Sequence, residues 1–236
     1  MEFELFETVK VEDKKAAFVN RHYERIKRSA AELNFPFDTS IEEFKNSVEN
    51  AAPEKGVYLV KFAISIGGKC SVSVRECLIP EKVSLAFYDG IKRKNDLLSR
   101  HKTSSVYESI IAVRKVRKKG FAEVILSDVN GFISETAFAN IFFIKNGIFF
   151  TPSCSTGCLP GTRRSVILTI LKEMQIPVFE GFFTKEDIMN ADEVIITSAR
   201  YDAVSVYKIE NKIWNLPENA WGKRLREVIN QIKFLY

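Results

Sequence analysis

The chain has only four cysteines and two histidines in 236 residues, and no histidine lies near a cysteine. Cys70, Cys77, Cys154 and Cys158 show no C-x-x-C spacing, so a zinc site is not expected and no metal ligand set is assigned. Cys154-Ser-Thr-Gly-Cys158 falls in one short connection and is read as two reduced thiols rather than a redox pair. No apolar run approaches the roughly 20 residues that a membrane-crossing helix needs. The acidic start Met1-Glu-Phe-Glu also lacks the basic-then-apolar order of a secretory signal. A cytoplasmic protein with no membrane partner is the expectation. Internal repeats are absent, and strand and helix patterns do not alternate regularly, which favours α+β over a doubly wound sheet.

The charge balance is +5, carried most densely by Lys92-Arg93-Lys94 and Lys115-Val-Arg117-Lys118-Lys119. Both runs are short and neither is interleaved with aromatics, so no nucleic-acid partner is expected and a solvated face is the reading adopted. The second run closes a predicted helix, where cations complement the dipole. Excess positive charge would also help draw in anionic ligands.

What is present describes an ordinary globule, 46% hydrophobic and 28% charged, long enough for one large or two modest domains. The pattern predicts a strand from Glu4 to Val9, helices from about Val19 to Leu33 and Ser40 to Asn50, and strands near Val57 to Ile66 and Ser71 to Arg75. Val83 to Phe87 reads as a further strand. The polar, basic stretch from Tyr88 to Ser99 reads as an interdomain connection. A helix from Tyr107 to Lys118, a strand around Val124, a turn at Asp128 to Gly131 and a helix after Gly161 follow. The chain closes with Val178 to Gly181, a short helix from Lys185 to Met189, a strand from Glu193 to Thr197, a hairpin at Glu210-Asn211 and a helix from about Trp221.

The most informative run extends from Glu135 to Arg163. Two Ile- and Phe-rich stretches, Ile141 to Lys145 and Ile148 to Thr151, flank Asn146-Gly147, a pair suited to a type I′ hairpin turn. Glu135 stands just upstream among small and apolar residues, where an ionised carboxylate needs a cationic or hydrogen-bonding partner. Pro160-Gly161 then breaks the chain ahead of an apolar-periodic helix, whose first amides and dipole favour an anion such as phosphate.

Together with the surrounding motifs, this run resembles the class IV (fold type IV) pyridoxal-phosphate enzymes. Phe6-Glu-Thr is similar to that family's early strand, and His22-Tyr-Glu-Arg25-Ile-Lys-Arg-Ser29 to its H-x-x-R-x-x-x-S helix. The resemblance implies a two-domain α+β fold of the D-amino acid aminotransferase type, with a smaller domain at 1–98, a larger one at 99–236, and the cofactor, pyridoxal 5′-phosphate, in the cleft between them. It makes Lys102 the catalytic lysine, bonded to the cofactor aldehyde and then serving as base for the substrate's α-proton. Glu135 would keep the pyridine nitrogen protonated. Arg25 would grip the phosphate, although Arg21 and Arg28 lie within one turn and could meet the same need, and His22 reads equally as a packing histidine. Thr162 and Arg163 would offer backbone amides to the phosphate, where the family's usual Gly-Ile-Thr-Arg is here Gly161-Thr-Arg-Arg164. Ser198 and Ala199 would supply a further phosphate contact. Tyr107 would support the cofactor's phenolic oxygen or else serve as a core aromatic.

The family motifs identify the cofactor better than the substrate. An aminotransferase acting between an amino acid, possibly branched-chain, and a 2-oxo acid is the first reading, carried by Tyr107 and by Val204-Ser-Val206-Tyr. The alternative is a 4-amino-4-deoxychorismate lyase, in which Lys61 would meet a substrate carboxylate; the short N-terminus also occurs among small lyases. A reading from another class is a basic nucleic-acid-binding protein that kept the fold without the chemistry. The resemblance further implies a homodimer.

Overall fold

The computed structural model describes residues 2–80 and 82–235. They form two compact units, one of Met1–Ile79, His101–Ser105 and Ile229–Tyr236, the other of Pro80–Arg100 and Val106–Val228. The chain therefore leaves the first unit at Pro80, returns to it around Lys102 and returns again from Ile229.

In the first unit, β1 (Glu4–Glu12) alternates a buried face bearing Leu5, Glu7, Val9 and Val11 with a less buried one, as a half-covered strand does. A tight turn at Asp13 and Lys14, both at positive φ, leads into β2 (Lys15–Ala16), followed by α1 (Val19–Glu32) and α2 (Ile41–Ala51). Ser40 and Glu43 close a reciprocal capping box at the start of α2. Then come β3 (Val57–Ser65) and β4 (Cys70–Glu76), completing an antiparallel sheet in the order β2-β1-β3-β4. The two helices press Tyr23, Ile26, Phe44 and Val48 onto Leu5, Val9, Val60 and Phe62 of the sheet. Phe44 and Phe62 meet edge to face at 4.9 Å.

Because β2 pairs β1 only at Val11 and Glu12, the opposite end of that edge is open, and residues 102–104 occupy it. The Phe6 amide donates to Lys102 O at 2.9 Å and the Ser104 amide to Glu4 O at 2.8 Å, while Leu5 bridges Thr103. The segment around Lys102, placed by the sequence reading at the head of the larger domain, is held by these bonds in the first unit.

The second unit is built on a mixed sheet in the order β10-β9-β8-β11-β12-β5-β6-β7, with β13 beside β12. In chain order it contains β5 (Val83–Arg93), α3 (Tyr107–Arg117), β6 (Glu123–Asp128), β7 (Ile133–Thr136), β8 (Asn140–Lys145), β9 (Ile148–Pro152), α4 (Thr162–Glu173) and β10 (Val178–Gly181). There follow α5 (Lys185–Met189), β11 (Glu193–Thr197), β12 (Val204–Ile209), β13 (Lys212–Ile213) and the start of α6 (Trp221–Ile232). Strand β5 corrects one expectation. The strand runs on through the supposed connection to Arg93, shifting register against β6 between Phe87 and Lys92. A polar, half-exposed strand end with a bulge has the composition of a linker, which is why sequence alone misread it. The β8–β9 hairpin turns at Asn146 (φ 51°) and Gly147 (φ 76°), as the Asn-Gly pair required. Helix α3 buries Ala112, Val113 and Val116 against Val124, Leu126 and Ala86.

Two antiparallel or mixed sheets with packed helices make an α+β fold, as the sequence implied. Among the described residues no helix is long and apolar enough to cross a membrane.

Candidate active site

In the first unit the H-x-x-R-x-x-x-S helix resolves into two separate jobs. His22, Arg25 and Ser29 share the buried face of α1. The Glu7 carboxylate of β1 accepts from Arg25 Nε and Nη2, both at 2.6 Å, and shares a 2.6 Å hydrogen bond with His22 Nδ1. Burial would raise the Glu7 carboxyl, but the charges and hydrogen bonds of Arg25 and His22 outweigh it and hold the group at about 2. Arg25 is thus fixed in plane by a buried carboxylate that grips two of its nitrogens. Ser29 Oγ, one turn on, meets His101 Nδ1 at 2.9 Å, and His101 Nε2 lies 3.3 Å from Glu32. That pair anchors the residue directly before Lys102. The Lys102 amine stands 4.7 Å from the centre of the Phe6 ring, and the Lys61 amine 4.9 Å from the same ring, with Lys61 also bonded to Glu4 at 2.7 Å.

In the second unit Glu135 lies buried on β7. Its Oε1 is 3.0 Å from Arg93 Nε, and its Oε2 accepts the Leu159 amide at 3.1 Å. Arg93 in turn donates to Ser109 Oγ of α3 at 2.9 Å. Asn140 Nδ2 holds Leu159 O at 2.8 Å, so Glu135 and Asn140 together clamp the loop that leads to α4. Gly161, the residue before that helix, has no room for a side chain: a Cβ there would lie 2.0 Å from Asn140 Oδ1. Helix α4 starts with no side-chain cap and no acid in its first turn, leaving its leading amides suited to an anion.

Thr162 and Arg163 are both buried at this helix start. The Arg163 guanidinium, fully buried, is directed at Asp202 with Nε 2.8 Å from Oδ1. The Asp202 amide donates to Ser198 O at 2.8 Å, and Thr197 Oγ1 to Asp202 O at 2.5 Å. The turn carrying Ser198 and Ala199 is therefore tied to the start of α4. The Arg163 side chain takes part in that tie through Nε, and its backbone amide is the second of α4. Tyr107, the first residue of α3, is 56% exposed rather than part of a core.

The structure brings together Glu135 with the Leu159 loop, and Thr162 and Arg163 with the Ser198-Ala199 turn. Arg25, Lys61 and Lys102 belong to the first unit; Glu135, Tyr107, Thr162, Arg163, Ser198 and Ala199 belong to the second. Sequence reasoning missed Arg93, Glu7, His101 and Asp202. Glu7 sat inside a quoted motif without a role, and Arg93 was absorbed into a basic run.

Residues 4–209 match the amino-transferase class IV family. The chain belongs to that family. This class IV aminotransferase is 29% identical to the "Probable branched-chain-amino-acid aminotransferase" of Aquifex aeolicus, across 89% of this chain and 75% of that one. A solved structure described as a putative 4-amino-4-deoxychorismate lyase from Legionella pneumophila is 25% identical, with TM-score 0.85 over 97% of this chain and 90% of that one. A branched-chain amino acid aminotransferase from T.th., solved in complex with N-(5′-phosphopyridoxyl)-L-glutamate, shares the fold at 19% identity and TM-score 0.85, covering 98% of this chain and 85% of that one. Class IV aminotransferases are pyridoxal-phosphate enzymes, and this chain is an enzyme of the family.

Proposed function

We propose that this enzyme moves an amino group between an amino acid, of branched-chain type, and a 2-oxo acid, with pyridoxal 5′-phosphate as cofactor. The observation that carries the reading is the Glu135 carboxylate, held by Arg93 and by the amide of a loop that ends at the uncapped start of α4. Each unit by itself offers groups that would fit the cofactor: the first a lysine amine for its aldehyde and a guanidinium for its phosphate, the second a buried carboxylate for its pyridine nitrogen and a glycine-cradled helix start for its phosphate. When bound, the cofactor supplies an electron-withdrawing ring that stabilises negative charge on the substrate's α-carbon.

The roles of the protein's own residues belong to the same proposal. Lys102 would hold the cofactor through its aldehyde, and its amine would serve as the base for the substrate's α-proton. Glu135 would face the pyridine nitrogen, and Arg93 and the Leu159 amide keep the carboxylate from turning away. In the second unit the Thr162 and Arg163 amides, the Ser198 hydroxyl and the Ala199 amide would receive the phosphate; in the first unit Arg25, held in plane by Glu7, is the guanidinium offered to the same group. Tyr107 supports the phenolic oxygen, and Lys61 meets a substrate carboxylate. The name of the Aquifex relative supports the branched-chain preference. A homodimer in the cytoplasm belongs to the same reading.

The lyase reading, release of pyruvate from 4-amino-4-deoxychorismate to leave 4-aminobenzoate, is kept because the Legionella structure bears that description at 25% identity. One experiment separates the two. Purified protein is supplied with amino acids of both hands plus 2-oxoglutarate or pyruvate, and in parallel with 4-amino-4-deoxychorismate. Amino transfer from a branched-chain amino acid supports the first reading, and 4-aminobenzoate release supports the second. A colourless protein that turns over neither, or a Lys102→Ala variant that keeps the visible band of lysine-bound cofactor, overturns both.

A further inference from the structure

We propose that Cys154 and Cys158 form a reversible thiol–disulfide site, oxidised by small-molecule disulfides of the glutathione class, in the loop that delivers the Leu159 amide to Glu135. Both are free thiols in this structure, and their sulfurs lie 4.0 Å apart. A disulfide needs about 2.05 Å, so closure asks for a movement of about 2 Å, which side-chain rotation and a small loop shift can supply. The local fold brings the sulfurs together. Cys154 opens a single 3₁₀ turn (Cys154–Thr156), and Gly157 at φ 79° then folds the chain back, so that residues four apart face each other. Gly157 is compelled by packing as well as by φ, because a Cβ there would lie 2.4 Å from Lys94 O.

The two thiols are not equivalent. Cys158 is buried, and its S–H has three acceptors in reach: Ser153 O at 3.7 Å, Pro152 O at 3.9 Å and the Cys154 sulfur at 4.0 Å. Cys154 is only partly buried. The hydrogen bond from Cys158 lowers the Cys154 thiol, against the effect of burial, and the Arg164 guanidinium lowers it further. The same hydrogen bond and burial raise Cys158. This asymmetry is that of an attacking thiol and a resolving one.

The chemistry balances as two exchanges. The Cys154 thiolate attacks one sulfur of the oxidised small molecule RSSR, forming Cys154–S–SR and expelling RS⁻, which takes up a proton. Cys158 then loses its proton and attacks the Cys154 sulfur, forming the internal disulfide and expelling the second RS⁻, which that proton neutralises. Two protein thiols are oxidised and one RSSR is reduced to two RSH. Leu159 follows Cys158 directly and its amide holds Glu135 at 3.1 Å, so drawing Cys158 toward Cys154 displaces that donor. The bearing of this displacement on cofactor binding rests on the function proposed above; the disulfide itself does not.

The test uses the full chain as purified, equilibrated with glutathione at several ratios of oxidised to reduced form, alkylated, and read by intact mass and peptide mapping. The expected result is a loss of two hydrogens at high oxidised ratio, a linked Cys154–Cys158 peptide, and full reversal by a dithiol. A Cys158→Ser variant should stop with one glutathione on Cys154, and Lys102→Ala protein should oxidise as the parent does, which separates this outcome from any failure of the cofactor reading. Complete alkylation of both thiols at every ratio overturns the proposal. So does linkage through Cys70 or Cys77, or adduct formation on Cys158 ahead of Cys154.

Discussion

Arg93 Nε lies 3.0 Å from Glu135 Oε1, and its own Nη2 is steadied by Ser109 at 2.9 Å. The carboxylate is therefore held at both oxygens, one by a cation from β5 and one by the Leu159 amide. An Arg93→Met variant removes the charged partner while keeping much of the stem. Leaving a buried polar group without its partner costs about 1–3 kcal/mol, so cofactor affinity should fall roughly tenfold to a hundredfold. A titration of cofactor-free protein followed by absorbance measures this, and an unchanged affinity would show that Arg93 plays no part in positioning Glu135.

Glu7 makes acid stability depend on the α1 network. Its carboxyl is held at about 2 in the folded protein against an ordinary 4.5. A lowered carboxyl contributes stability above the unfolded value, so the contribution is complete above pH 4.5 and is lost as pH falls from 4.5 through 2; its size is about 3 kcal/mol. Urea midpoints of wild type and Glu7→Gln should differ most near neutrality and converge as the pH approaches the lowered value. Parallel curves across that range would refute the assignment.

Glu123 acts in the opposite sense. Burial at the start of β6 pushes its carboxyl up to about 7, opposed in part by the Val124 amide and the charge of Arg117. Here the folded state holds the proton more tightly than the unfolded one, so stability falls as pH rises from 4.5 to 7 and stays reduced above it. Glu123→Gln should remove that decline and be the more stable protein at about pH 8, by up to a few kcal/mol on the same pKa arithmetic. Equal melting temperatures of the two proteins under those alkaline conditions would count against a strained buried acid.

Gly161→Ala tests the cradle ahead of α4. The new methyl would sit 2.0 Å from Asn140 Oδ1, so either Asn140 or the loop must move and the 2.8 Å bond to Leu159 O is strained. Overpacking of this kind costs about 1–3 kcal/mol. The variant should melt lower and retain less cofactor through purification, read as the ratio of cofactor to protein. Full occupancy with an unchanged melt would show the tight approach to be irrelevant.

Features set by neighbours in sequence were legible beforehand. The Asn146-Gly147 turn, the break at Pro160-Gly161 and the helix over Val19–Glu32 each depend on short-range geometry, and each stands where the pattern put it. What escaped was pairing between remote residues. Arg93 looks like one cation in a solvated run until β7 places Glu135 opposite it, and the pairing of the Arg163 guanidinium with Asp202, 39 residues on, has no sequence signal. The strand character of residues 88–93 was hidden because a bulged, half-exposed strand has the composition of a linker. Lys102 is singled out by motif resemblance alone, whereas its attachment to β1 comes from backbone hydrogen bonds that leave no trace in residue type.

That attachment has a consequence for how the polypeptide can be made and cut. The first unit is assembled from three separated stretches, with Lys102 O bound by the Phe6 amide and Lys233 O bound by the Phe18 amide. A fragment stopping at Ile79 would lack two of its own pieces: the edge of β1 is completed only once residues 102–104 have been made, and the Phe18 amide finds its acceptor only once Lys233 has been made.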